Sequence, residues 1–155
     1  MGRKILAMVM AIMLCITGLM NWTASVDAEV ESEDIDISSI FTEEALIGYA
    51  ELQSRGIYMV GAYSIINKIS STKVGAGGAT EAAIRCTVKV NPMVEQKVNG
   101  SWLRVTSWSQ TNQSSLSVIS SKSVTVDKGY YYYVKSYHYA GSDVSSSWTD
   151  AIWVN

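Results

Sequence analysis

A nucleophile–base pair in this 155-residue sequence would have to rest on His138, its only histidine, and on Cys86. Such a dyad needs both side chains brought together in space, and nothing in their spacing does that. No His/Cys/Asp set has the short-range spacing of a zinc site, and no Asp-rich loop resembles a calcium site. Beyond residue 56 the carboxylates are Glu81, Glu95, Asp127, Asp143 and Asp150, scattered over separate segments rather than paired for acid–base work. The run from Gly75 to Gly78 opens no helix, so it is not a phosphate loop. The chain is expected to carry no catalytic residue, no metal and no cofactor.

Aromatic side chains interleaved with cations are the richer feature. Successive side chains of a strand point to opposite faces. Over residues 130–139, Tyr130, Tyr132, Val134, Ser136 and His138 therefore share one face, and Tyr131, Tyr133, Lys135, Tyr137 and Tyr139 the other. A neighbouring run places Leu103 and Val105 opposite Trp102, Arg104 and Trp108. Assigning Leu103, Val105, Tyr132 and Val134 to the core leaves an outward surface of Trp102, Arg104, Trp108, Tyr131, Tyr133, Lys135 and Tyr137. Rings with cations among them suit stacked sugars, a protein surface or single-stranded nucleic acid. The plain alternative is cross-strand aromatic pairs that stabilise a solvated sheet face by about 0.2–1 kcal/mol each.

The compartment follows from residues 1–28. Arg3 and Lys4 precede an apolar core from Ile5 to Met20, and Val26-Asp27-Ala28 ends it with small residues at −3 and −1. That pattern is a secretory signal peptide, with a core too short for a confident membrane span. Leu14 fills the position before Cys15 where lipoprotein processing wants a small residue. The expected protein is secreted and extracellular, without stable membrane insertion after cleavage and without nucleic acid as a partner. Cleavage leaves Cys86 alone, so no intramolecular disulfide is available and Cys86 reads as a small, buried apolar residue.

These residues need elements to hold them. From Glu29 to Glu51 the chain carries eight acids and no Lys or Arg, whereas from Leu52 onward ten Lys and Arg face five acids. An acidic arm over residues 29–56 thus precedes a basic body over 57–155. Within the arm, Thr42 can cap a short helix over Glu43 to Gln53, with Phe41 and Leu46 as its staple. Beyond it the grammar is β. Strands are expected over 58–69, 73–80, 87–98, 101–111, 116–126, 130–139 and 148–154. Residues 81–85 are a loop or helical turn, 112–115 a polar connection and 140–147 a loop. Pro92 marks an edge or bulge, and Asn99-Gly100 fits a two-residue type I′ turn. About seven short strands without alternating helices predict an all-β antiparallel sandwich.

The block Val124 to Tyr132, followed by Val134, His138, a Gly/Ser loop and a last strand, resembles the end of a fibronectin type III or immunoglobulin-like sandwich. Together with Ser54-Arg55-Gly56-Ile57-Tyr58, the run Ser70 to Val74, Gly77-Gly78 and Asn99-Gly100-Ser101-Trp102, the chain resembles a family of small secreted Gram-positive proteins grouped as a domain of unknown function. That resemblance implies secretion and a β-domain, and no reaction.

Two functions fit these expectations. One is a non-catalytic module binding an extracellular polysaccharide or surface protein through the outward aromatics. The other is a self-associating structural or matrix protein, joined through an exposed edge strand or Cys86. Secretion is directly checkable: N-terminal sequencing of protein recovered from culture medium should begin at or within a few residues of Glu29. Recovery only in membranes, with Met1 to Ala28 intact, would establish a retained anchor instead.

Overall fold

The computed structural model describes residues 44–52 and 56–155, so the expected signal peptide and most of the acidic stretch lie outside the described residues. Eight strands follow one another: β1 (Leu46–Tyr49), β2 (Met59–Ser70), β3 (Lys73–Val98), β4 (Ser101–Ser107), β5 (Gln110–Thr125), β6 (Tyr130–Ala140), β7 (Asp143–Trp148) and β8 (Ile152–Val154). All pair antiparallel within one hydrogen-bonded sheet, and the described residues contain no helix.

β3 organises the sheet. Its first part, from Lys73 to Ala82, pairs with β2 on one side and the C-terminal part of β5 on the other. Its last part, from Val88 onward, pairs with β6 on the first side, and with β5 and then β4 on the second. Register shifts near Cys86 let the strand turn between these two parts. A bulge bends and twists its strand, so one long strand can serve two facing halves of a nearly closed sheet. Residues 81–85, expected as a loop or helical turn, form this corner and remain extended: Glu81 pairs on both sides, Ala82 pairs with Met59, and the Ala83 N–H donates to the Tyr58 carbonyl.

Pro92 tolerates a central strand for a local reason. Its carbonyl accepts from the Trp108 N–H at 3.1 Å, on the side where β4 ends and β5 has yet to begin. Its missing N–H falls on that same side, at the break. Asn99 and Gly100 adopt φ of 49° and 84°, and Val98 pairs with Ser101, as the two-residue turn requires.

The expected helix over 43–53 is corrected in its described part. Leu46 to Tyr49 form β1 and pair with Ile66 to Tyr63 of β2. Capping and staple residues favour a helix locally, but the β2 edge offers a full ladder, and tertiary pairing wins. Gly48 also lets β1 pass close to the end of β7: a Cβ there would lie 1.7 Å from the Trp148 carbonyl oxygen. Three further corrections follow from pairing. Ser101 to Thr111 is not one strand, because Trp108 and Ser109 interrupt it; residues 112–115 belong to β5; and residues 143–147, Ser-rich and expected as loop, form β7 together with Trp148, so that the last strand expected over 148–154 is reduced to β8.

The interior divides into two apolar clusters. One holds Ile66, Val74, Ala76, Val94, Val124, Tyr132, Val134 and Val154; the other holds Met59, Ala62, Ala82, Val88, Val90, Val118 and Ala140. Between them runs a belt of buried polar side chains. Ser64 sits between Ala62 and Ile66 on β2, Thr80 between Ala76 and Ala82 on β3, and Ser136 and His138 between Val134 and Ala140 on β6. The Ser64 hydroxyl donates to Ser136 Oγ at 2.8 Å and lies 2.7 Å from Ser147 Oγ. Ser147 Oγ is 2.8 Å from His138 Nε2, and Thr80 Oγ1 is 2.9 Å from His138 Nδ1. The Thr80 hydroxyl donates to the Lys89 carbonyl, which assigns the ring proton to Nδ1 and leaves Nε2 to accept from Ser147.

A neutral imidazole satisfies this belt, and burial pushes His138 down to about 4 from its ordinary 6.5. The unfolded chain therefore binds a proton between those values that the folded chain does not. Stability should fall by about 3 kcal/mol as pH drops from about 6.5 to 4, apart from other groups. Asp143 titrates below that window, because the Met59 and Tyr58 N–H groups bind its carboxylate at 3.0 and 2.7 Å and hold it below its ordinary value. Urea unfolding at pH 7 and 4.5 checks this: the His138→Gln variant should lose much of the difference. An equal difference in both proteins would contradict a neutral, buried His138.

Candidate functional site

Pairing register sets which aromatics meet. Glu95 of β3 faces Arg104 of β4 on one side and Tyr133 of β6 on the other. The next rungs on the same face place Lys97 beside Trp102, Lys135 beside Trp148, and Tyr137 beside Ser146. This face points away from the core, since Tyr132 and Val134 between these positions are fully buried. The period-two expectation for β6 holds.

Two rings form a fixed centre. Trp102 and Tyr133 pack edge to face with centroids 4.5 Å apart. The Tyr133 hydroxyl donates to Glu95 Oε2 at 2.7 Å. Burial first, and this hydrogen bond second, push the Tyr133 hydroxyl up, so it remains a donor at any ordinary pH. The carboxylate thereby orients a ring that would otherwise rotate.

Trp148 completes the face, although the outward set read from the sequence did not include it. It ends β7, and the next residue fixes it: the buried Thr149 donates its N–H to the Val134 carbonyl and accepts from the Val134 N–H through Oγ1. Trp148 and Asp150 flank that anchor, on a stretch whose serines gave little strand signal. Trp102, Tyr133, Lys135, Trp148 and Asp150 line one shallow groove of ≈ 400 Å³. Trp148 also borders a second, of ≈ 380 Å³, with Tyr137, Val144, Ser146 and Glu51. Glu51 follows β1, which Gly48 lets cross the end of β7.

The seven residues expected on this face divide. Trp102, Tyr133 and Lys135 line the first groove, and Tyr137 the second. Arg104 shares their face and is exposed, on the rung of Glu95. Tyr131 is exposed but pairs with Trp153, with ring centroids 4.9 Å apart, farther along β6. Trp108 leaves the face altogether. Its indole N–H donates to Ser120 Oγ at 3.0 Å, the Lys122 ammonium sits 5.8 Å from its ring, and it packs against the first apolar cluster. The strand breaks at Ser107, so the alternation that put Trp108 beside Trp102 stops there.

Leu103 and Val105 are also corrected: they are 53% and 40% exposed rather than core. Among the described residues β4 borders only β3 and no strand of the facing half covers its inner side, so both its faces are solvated. A bulge at Val105, between the Val94–Thr106 and Glu95–Arg104 pairs, adds to the departure from simple alternation. Cys86 is half-buried at the β3 corner and borders the second cluster. Both His138 nitrogens are engaged by Thr80 and Ser147, so Cys86 has no place in a dyad with it. Among the described residues no group of three or more His, Cys, Asp or Glu is arranged to hold a metal ion.

Truncation separates the two tryptophans that alternation had grouped. Trp108→Ala should cost about 3 kcal/mol, because it removes a ring packed on the core. Trp102→Ala should cost about 1 kcal/mol, the order of one aromatic pair at a solvated position. Thermal melts of both variants check this, and equal losses would contradict the different placement of the two rings.

The arrangement is therefore a platform of rings, one oriented by a carboxylate, with a cation and the carboxylates of Asp150 and Glu51 at its margins. It can stack against flat apolar faces and hydrogen-bond hydroxyls around them. No family model matches the chain, and no curated protein matches it.

Proposed function

We propose that the chain is a secreted, non-catalytic module that holds an extracellular polysaccharide on its aromatic face. The observation that carries this reading is the shared groove wall formed by Trp102, Tyr133 and Trp148. Sugar rings present alternating apolar faces and hydroxyl rims. Exposed indoles take the first, while Lys135 and Asp150 reach the second. A protein ligand would be favoured by a flatter, more continuous apolar surface with a central pocket. The resemblance of the sequence to small secreted Gram-positive proteins is in keeping with this reading.

A fibronectin III-like or immunoglobulin-like sandwich is the finer reading of the fold. The two facing halves of the sheet support it. So does the buried Tyr132, whose hydroxyl donates to the Asp127 carbonyl at 2.7 Å across the turn before β6. A tyrosine tied back to the backbone just upstream is a hallmark of such domains.

A self-associating surface protein is the second reading, favoured by β5. Among the described residues this 16-residue strand pairs with β3 alone, and Leu116 and Ile119 on it are exposed. Long edges of this kind invite pairing with another chain.

A glycan array probed with the protein and with its Trp148→Ala variant tests the first reading. Polysaccharide hits should appear with the protein and disappear with the variant, whose melting temperature should stay close to the parent's. Hits unchanged by the substitution would refute this face as the site. Concentration-dependent assembly without glycan binding would favour the second reading.

A further inference from the structure

Four rings in this molecule already carry a lysine ammonium. Lys89 lies 5.5 Å from the Tyr139 ring centre, Lys97 5.7 Å from Trp102, Lys122 5.8 Å from Trp108 and Lys135 5.2 Å from Tyr137. Trp148 differs. It is the most exposed tryptophan among the described residues, at 61%, and no cation or second ring covers it there. A carboxylate stands in the groove on each side: Asp150 in one, Glu51 in the other. Among the described residues neither carboxylate is engaged in an ion pair or side-chain hydrogen bond. Lys135, among the described residues the one cation lining either groove, already sits over Tyr137.

We propose that the glycan held on this face carries free amino groups, with an ammonium-bearing sugar seated on Trp148 between Asp150 and Glu51. This rests on the polysaccharide reading above and names its chemical class. The negative face of an indole attracts a cation, most strongly where water is partly excluded. Two exposed carboxylates bordering the same ring deepen that potential, by an attraction that salt screens. A glycan bearing carboxylates or phosphates would meet both Asp150 and Glu51 with like charge. A neutral glycan would stack on the ring and leave the two carboxylates only hydroxyls to bind. An amino sugar uses the ring through its apolar face and its ammonium, and both carboxylates as counter-charges.

The test uses the full chain and two oligomers of equal length, glucosamine hexamer and its fully N-acetylated form, titrated by calorimetry at pH 6 and low salt. The free-amine oligomer should bind about tenfold more tightly, a difference of about 1.4 kcal/mol. That preference should shrink in high salt, and in the doubly substituted Glu51→Gln, Asp150→Asn protein, while affinity for the acetylated oligomer changes little. Trp148→Ala should weaken both oligomers without lowering the melting temperature appreciably. Equal binding of the two oligomers, both lost in Trp148→Ala, would overturn the amino preference and leave the polysaccharide site standing. Binding of neither oligomer would overturn this proposal, and binding of no polysaccharide on the array would overturn the reading beneath it.

Discussion

The constraint on which the other features depend is that β3 belongs to both halves of the sheet. A strand of 26 residues cannot stay flat between neighbours on both sides while its ends face different partners. Its corner near Cys86 brings β2 over β6 and β7, and the residues that meet there have to be chemically compatible. They are hydroxyls and one imidazole. Ser64, Ser136, Ser147, Thr80 and His138 satisfy one another, so the belt avoids the penalty of unpaired buried polar groups. Directional bonds also fix register across the two halves more narrowly than valines alone would. Gly78 shows how tight the fit is: a Cβ there would lie 2.7 Å from Ser136 Oγ.

Once β6 is locked by its inward residues, its outward residues have no freedom left. His138 and Ser136 facing the belt force Tyr137 and Lys135 to face solvent, and Val134 in the first cluster forces Tyr133 outward. The aromatic platform is thus a consequence of the interior. Thr149 does the same for the last part of the face, because its two bonds to Val134 hold Trp148 and Asp150 on the outer side. The proposed ligand face lies on the solvent side of strands whose other side is over-determined.

That division explains what was legible in the sequence. The tyrosine-rich strand alternates without interruption, so both its buried and its outward residues could be read, His138 included. The Asn99-Gly100 turn carries its own backbone chemistry and needed no tertiary context. Leu103 and Val105 misled because alternation says which residues share a face, and not whether another layer covers that face. Trp108 misled because the period was carried across a break that only the Trp108–Pro92 bond reveals. The helix expected after Thr42 obeyed every local rule and lost Leu46 to Tyr49 to the edge of β2. Trp148 went unnoticed in a serine-rich stretch whose strand character comes from pairing with β6 and whose Ser147 is needed by the belt.

The central functional claim is that ligand meets Trp102 and Trp148 on the outer face and leaves the core-packed Trp108 alone. Indole N–H resonances report each tryptophan separately, and the Trp108 N–H is committed to Ser120. Nuclear magnetic resonance titration with an oligosaccharide identified as a ligand should therefore move the Trp102 and Trp148 signals together and saturably, with Trp108 unmoved. Shifts led by Trp108, or binding that leaves both Trp102 and Trp148 in place, would contradict the account.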